Sequence, residues 1–214
     1  MAKREEVAAA ATKHLHRADP VMRDLIRRVG PFQLKIDRQR FHMLACSIVS
    51  QQLSVKAART IRDRLIALAG GELLPEGVLK LEIEQLRGVG LSRNKAAFMH
   101  DLAAATSDGR LSLTKIGRKD DEAIIAELVQ VKGVGRWTAQ MFLMFSLGRP
   151  DVLPVGDLGI RAAMRNLYGL AELPNETAAQ EIGAKWRPYA TAASWYCWRS
   201  LELKQNGKAT PTKK

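Results

Sequence analysis

Residues 131–161 read VKGVGRWTAQMFLMFSLGRPDVLPVGDLGIR, and the rest of the chain is best read outward from them. A glycine turn, Gly133-Val134-Gly135, lies between two helical runs. Glycine lacks a Cβ, so the backbone there can take positive φ and can come close to another molecule. The second run opens with amides that have no partner inside the helix. Such amides, at the positive end of a helix, bind phosphate well. Lys132 and Arg136 add positive charge on either side. After a break at Gly148 and Pro150, Asp157 precedes LGIRAAMRNLY. A carboxylate at that helix N-terminus sits where the dipole favours negative charge. One segment thus carries an anion grip and a fixed anion, with a helix between them.

Composition limits what surrounds this segment. The chain has 214 residues, 46% of them hydrophobic, enough for one globular unit or two small lobes with a real core. The formal net charge is +12, which predicts attraction to a polyanion, nucleic acid first among them. The alternative use of such charge is solubility. The two cysteines, Cys46 and Cys197, stand in apolar helical contexts, as buried thiols in a reducing compartment do. They are too few for a four-cysteine iron–sulfur cluster. The N-terminal MAKREEVAAAATKHLHR carries acids and no long apolar core, unlike a signal peptide. No apolar run reaches membrane-spanning length, and the expectation is a cytoplasmic protein.

Apolar residues recur at intervals of three and four rather than two, so the predicted fold class is all-α. A first helix is expected over residues 4–18, then Asp19 and Pro20 as cap and first turn of VMRDLIRRV, closed by Gly30. FHMLACSIV runs into SQQLS, a small polar interruption before the next helix. Further on, LRGVGLS echoes VKGVGRW at an offset of 45 residues. Ser92 can cap the helix after that echo, and Arg93, Asn94 and Lys95 could touch a second phosphate stretch; the alternative is a purely structural hairpin. KDDEAIIAELVQV, residues 119–131, reads as the amphipathic helix leading into the first glycine turn, and Trp137–Leu147 as the helix leaving it. Asn175 is expected to cap ETAAQEIGAKW, and Pro188 to begin a last helix with Trp195, Tyr196 and Trp198. The tail, residues 205–214, reads as disordered. His14, His16, His42 and His100 lack metal-ligand spacing with acids or cysteines.

The hairpin VGRWTA followed by LPVGDLGIR resembles the helix-hairpin-helix DNA glycosylase superfamily, in its 3-methyladenine DNA glycosylase II form. GLSRNKA extends the likeness upstream. The resemblance implies two helical lobes with a cleft between them, residues 37–149 as the central domain and residues 1–36 plus 150–214 as the other. With nothing ahead of the first helix that reads as the N-terminal β domain of the long type, the chain is expected to be a short member. Relatives such as endonuclease III carry an iron–sulfur cluster, and this chain departs from that branch.

The same resemblance implies roles. Lys132, Gly133, Val134, Gly135, Arg136 and Thr138 would hold DNA, with a monovalent cation, Na+ or K+, bound by backbone carbonyls around Gly133 and Gly135. Gln52, with Leu53 beside it, would enter the duplex and fill the gap left by a flipped base; the alternative is an ordinary turn with solvated glutamines. Asp157 would be the catalytic carboxylate, stabilising charge on the sugar as the N-glycosidic bond breaks; its alternative is a helix cap only. The preceding position, where many relatives carry a second aspartate, is Gly156. Trp137, Trp198, Met141 and Leu158 fall on base-pocket positions, with packing as the alternative for the tryptophans. Bifunctional relatives carry a Schiff-base lysine where this chain has Trp137, so a monofunctional enzyme is expected. It would act on duplex DNA as a monomer and release 3-methyladenine or 7-methylguanine. Etheno-adenine, hypoxanthine or uracil as substrates, or a non-catalytic DNA-binding hairpin, are the competing readings.

Overall fold

The computed structural model describes residues 2–207, and every regular element among them is helical. Two helices open the chain, α1 (Ala2–Ala18) and α2 (Pro20–Val29). Seven follow: α3 (Arg40–Ser50), α4 (Val55–Leu68), α5 (Pro75–Leu79), α6 (Ile83–Gly88), α7 (Arg93–Ser107), α8 (Asp121–Leu128) and α9 (Arg136–Phe142). The chain closes with α10 (Leu158–Tyr168), α11 (Glu176–Gly183) and α12 (Ala190–Gly207). Helix α12 takes in residues 205–207, where the sequence reads as a disordered tail; residues 208–214 lie outside the described residues.

The chain divides into two compact units. One is Ile36–Leu147; the other joins the segments before Ile36 and after Leu147. In the first, α3 buries Phe41, Leu44, Ala45, Ile48 and Val49, a helical stripe that packs on α4, α7 and α9. Ser54 caps α4 by accepting from Ala57 N, and Asp120 caps α8 by accepting from Ala123 N. The helix expected to run unbroken to Leu147 changes at Leu143 into a π-helical turn, Leu143–Leu147. That wide turn is paired with the chain entering the unit: Asp37 N donates to Phe145 O at 2.8 Å, and Ser146 Oγ donates to Asp37 O at 2.9 Å. In the same unit burial pushes the Cys46 thiol up to about 11.

The second unit packs Met22, Leu25, Ile160, Met164, Trp186 and Tyr196 into one apolar core. Each such large side chain contributes about 1.5–3 kcal/mol by leaving water. Set into this core is a wholly buried carboxylate, Asp19. Its Oδ1 caps α2 by accepting from Val21 N at 2.9 Å. Its Oδ2 accepts from Tyr168 Oη and, at 2.9 Å, from Trp186 Nε1, with Lys185 Nζ at 3.4 Å. Burial alone would raise this carboxyl; the Tyr168 and Trp186 hydrogen bonds and the Lys185 charge outweigh it and hold the group below its ordinary value. The network fastens the last residue of α10 to the start of α2, and α10 is the helix that Asp157 begins.

The two GVG motifs do not fold alike. In 131–137 the left-handed residue is the first glycine, Gly133 at φ 81. In 86–92 the first glycine, Gly88, ends α6, and the second, Gly90, takes φ 110 against the Ile61 side chain. The echo is one of sequence, not of backbone.

Candidate active site and hairpin

The hairpin joins α8 to α9 in the Ile36–Leu147 unit. Val131 and Val134 are buried and anchor the turn. Gly133 is required twice: its φ is 81, and an added Cβ would come within 2.3 Å of Phe98 Cδ2. Gly135 differs. Its φ of −89 and ψ of 172 are ordinary extended backbone, and an added Cβ would meet nothing within 4 Å. Its lack of a side chain leaves room for something outside the protein rather than for the protein itself.

The amides sort the same way. Val134 N donates to Val131 O at 3.0 Å and the Val134 side chain is buried, so this residue offers a phosphate neither group, contrary to expectation. Lys132 N donates to Asp101 Oδ2 at 2.8 Å, leaving its exposed side chain as the outward group. Among the described residues the amides of Gly133, Gly135 and Thr138 donate to no protein acceptor. Thr138 is buried, so its backbone is what it can offer. Arg136 pairs through both terminal nitrogens with Glu122, at 2.9 and 2.6 Å, and holds that carboxyl below its ordinary value. Both partners are exposed, and such pairs are worth about 0–1 kcal/mol, so Arg136 is cheaply exchanged to another anion.

The carbonyls named for a monovalent cation are already engaged. Gly133 O accepts from Gln51 Nε2 at 2.7 Å, and Gly135 O accepts from Ala139 N at 3.0 Å.

In the turn between α3 and α4, Gln52 adopts φ 56, the one positive-φ position with a side chain among the described residues. Gln52 and Leu53 are both exposed there. Lys95, one of three residues that could touch a second phosphate stretch, follows the structural alternative: its Nζ donates to Val49 O at 2.8 Å and Gln51 O at 2.5 Å. Desolvation lowers its ammonium below the ordinary lysine value. Trp137 is 43% exposed at the start of α9, whereas Met141 of that helix is buried.

In the other unit Asp157 caps α10. Its Oδ1 accepts from Ile160 N at 2.8 Å and from Trp198 Nε1 at 3.1 Å. The turn before it closes through Asp157 N to Pro154 O at 2.9 Å. Two donors on one oxygen fix the rotation of the carboxylate. Leu158, next in line, is 65% exposed. A nearby acid, Asp151, is occupied with structure: it pairs with Arg187 at 2.8 Å and accepts from Ala190 N at 3.2 Å.

Gly159 was not singled out by the sequence. A Cβ there would stand 3.0 Å from Asp157 Oδ1 and 3.3 Å from Trp198 Cδ1 and Nε1. A side chain there would crowd both groups and make the indole or the carboxylate give by a few tenths of an ångström. The signal was present: glycine inside a helix is costly, so its place in DLGIR marks a close approach.

The comparisons with known proteins bear on this arrangement. The family model for HhH-GPD superfamily base excision DNA repair proteins matches residues 45–188, which include the Gln52 turn, the hairpin and Asp157. DNA-3-methyladenine glycosylase 1 of Schizosaccharomyces pombe is 33% identical over 99% of this chain and 96% of its own length. The structure of the Schizosaccharomyces pombe 3-methyladenine DNA glycosylase Mag1 in complex with abasic DNA superposes with a TM-score of 0.85, at 32% identity, over 95% of this chain and all of that one. A DNA-3-methyladenine glycosidase structure from Bacillus halodurans gives a TM-score of 0.81 at 36% identity, over 92% of this chain and 91% of that one. The chain belongs to the HhH-GPD superfamily of base excision DNA repair proteins.

Proposed function

We propose that this protein is a monofunctional DNA glycosylase that hydrolyses the N-glycosidic bond of alkylated purines in duplex DNA and leaves an abasic site. 3-Methyladenine and 7-methylguanine are the substrates put forward. The observation that carries the reading is the rotationally fixed carboxylate of Asp157, bonded through Oδ1 to Ile160 N and Trp198 Nε1. As the base leaves, positive charge grows on the deoxyribose. A carboxylate already oriented stabilises that charge without reorganising, and such preorganised electrostatics commonly lowers an enzymatic barrier more than any other effect. A water molecule then adds to the sugar, with Asp157 also able to orient it or take its proton. An alkylated purine is itself cationic and departs without a strong general acid.

The remaining groups hold and select. The amides of Gly135 and Thr138, with Lys132 and Arg136, take phosphate oxygens. Exposed Trp137 offers a π face to a cationic base. Trp137 also stands where a lyase would need an amine, so no Schiff base forms and the strand stays intact. Gln52 enters the stack in place of the extruded base, with Leu53 beside it. The partner is double-stranded DNA, bound by a monomer. No helix among the described residues is long and apolar enough to cross a membrane.

The test is base release from dimethyl-sulfate-treated duplex DNA, wild type against Asp157→Asn, with freed bases identified by chromatography. Methylpurine release by wild type, lost by orders of magnitude in Asp157→Asn while DNA binding survives, is the expected result. Strand breaks should appear only after hot alkali. A break without alkali would refute the monofunctional assignment. Equal release by both proteins would remove Asp157 from the chemistry. No release from either, with DNA tightly bound, would favour another lesion or a non-catalytic hairpin.

A further inference from the structure

The strained turn at Gln52 is held from two directions by groups that the proposed chemistry leaves idle. Lys95 Nζ donates to the carbonyls of Val49 and Gln51, which close α3. The Gln51 side chain donates to Gly133 O, the left-handed residue of the hairpin. Gly133 in turn lies against Phe98, and the amide beside it, Lys132 N, donates to Asp101 Oδ2. Lys95, Phe98 and Asp101 follow each other at intervals of three along α7, on one inclined stripe of the helix. That single stripe touches the Gln52 turn at one end and the hairpin at the other. All these groups belong to the same compact unit.

We infer that α7 and Gln51 lock the Gln52 turn to the hairpin, so that gripping the phosphates and inserting Gln52 are one event, and that Lys95 and Gln51 are positioning residues for base extrusion rather than DNA contacts. This rests on the assignment of Gln52 as the inserted residue and of the hairpin as the phosphate grip. The physical logic is geometric. A residue at φ 56 relaxes to ordinary backbone unless its neighbours fix it. Here the carbonyl before it is clamped by an ammonium, and the side chain before it is anchored to the hairpin. Phosphates seated on the hairpin therefore meet Gln52 already aimed. A loose turn would still let the protein bind DNA, through charge, but would insert rarely.

The experiment compares Gln51→Ala, Lys95→Met, Lys95→Arg and Gln52→Ala by thermal melting, by binding to an undamaged duplex over a range of salt, and by single-turnover release of 7-methylguanine. Gln51→Ala and Lys95→Met should slow release at least tenfold, with affinity for undamaged DNA within about twofold of wild type. The slope of log K against log salt should stay that of wild type in Lys95→Met; a lysine on a phosphate would lower it by about 0.9. Lys95→Arg keeps donors for the two carbonyls and should recover part of the rate. Combining Gln51→Ala with Gln52→Ala should cost little beyond Gln52→Ala alone, because an unaimed plug and a missing plug fail together. Release at the wild-type rate in Gln51→Ala and Lys95→Met, with Gln52→Ala slow, would overturn the coupling and leave the plug standing. Wild-type release in Gln52→Ala would overturn the plug and the coupling with it. The salt slope needs no base release, so a reduced slope for Lys95→Met refutes the inward assignment even if the glycosylase reading fails. Should Lys95→Met not fold, Gln51→Ala, a half-buried surface change, carries the same test.

Discussion

Replacing each hairpin glycine by alanine should produce opposite phenotypes. At Gly133 the new Cβ meets two obstacles. A left-handed backbone costs an L-residue about 1–2 kcal/mol. The Cβ would also stand 2.3 Å from Phe98 Cδ2 and 2.4 Å from Phe98 Cγ, where carbon atoms prefer about 3.5–4.0 Å. Overpacking of this kind costs about 1–3 kcal/mol. The sum is about 2–5 kcal/mol, and in a chain of this size each kcal/mol lowers Tm by about 2–4 °C. Gly133→Ala should therefore melt about 4–20 °C early. Adding Phe98→Ala should leave only the backbone share of the Gly133→Ala effect. At Gly135 the backbone is extended and the space is open. Gly135→Ala should keep Tm within about 2 °C, since alanine there also restricts the unfolded chain. Its methyl would stand in the space proposed for a phosphate oxygen. A hydrogen bond to a charged group is worth about 1.5–3 kcal/mol, so duplex affinity should fall about ten- to hundredfold. Thermal circular dichroism and fluorescence anisotropy on undamaged duplex read the two effects. An unchanged Tm for Gly133→Ala, or normal DNA affinity for a folded Gly135→Ala, would refute the division of labour.

Other outcomes follow from the same geometry. Gly159→Ala should push Trp198 off Asp157 and lower the single-turnover rate at least tenfold, with DNA affinity unchanged; a normal rate would show that the Oδ1 contact is dispensable. Trp198→Phe keeps an aromatic body and loses the Nε1 donor, so a retained rate would assign Trp198 to stacking and a lost rate to positioning of Asp157. Asp19 has a lowered carboxyl in the folded state, so its contribution to stability is present above the unfolded value of about 3.9 and is lost as pH falls through the folded value. Acid melting of wild type should steepen below that point. Asp19→Asn should be less stable at neutral pH, by about 3–5 kcal/mol for a broken buried network, and should lose that share of the acid dependence. An unchanged acid profile in Asp19→Asn would refute the network's role.

What the sequence determined by itself is local. The caps Asp19, Ser92, Asn175 and Asp157 each accept an amide two or three residues ahead, and each was legible as a polar residue before a helical run. The hairpin was legible from its glycines together with the family likeness of VGRWTA and LPVGDLGIR, since the glycine pair alone recurs at Gly88 and Gly90 with another backbone. The π-helical turn after Phe142 was not, since its pairing with Asp37 spans more than a hundred residues of chain. Nor could the sequence tell Gly133 from Gly135, because the wall that distinguishes them, Phe98, comes from another helix. The sequence left Lys95 open between a phosphate contact and a structural role; packing turns its ammonium onto the end of α3, 44 and 46 residues away in sequence. Asp157 was readable as a cap; that Trp198, 41 residues on, fixes the same oxygen was not. Contacts within one helical turn are set by covalent spacing and appear as patterns of residue type. Contacts between helices depend on which faces meet, and that is decided only when the whole apolar surface of each unit is buried at once.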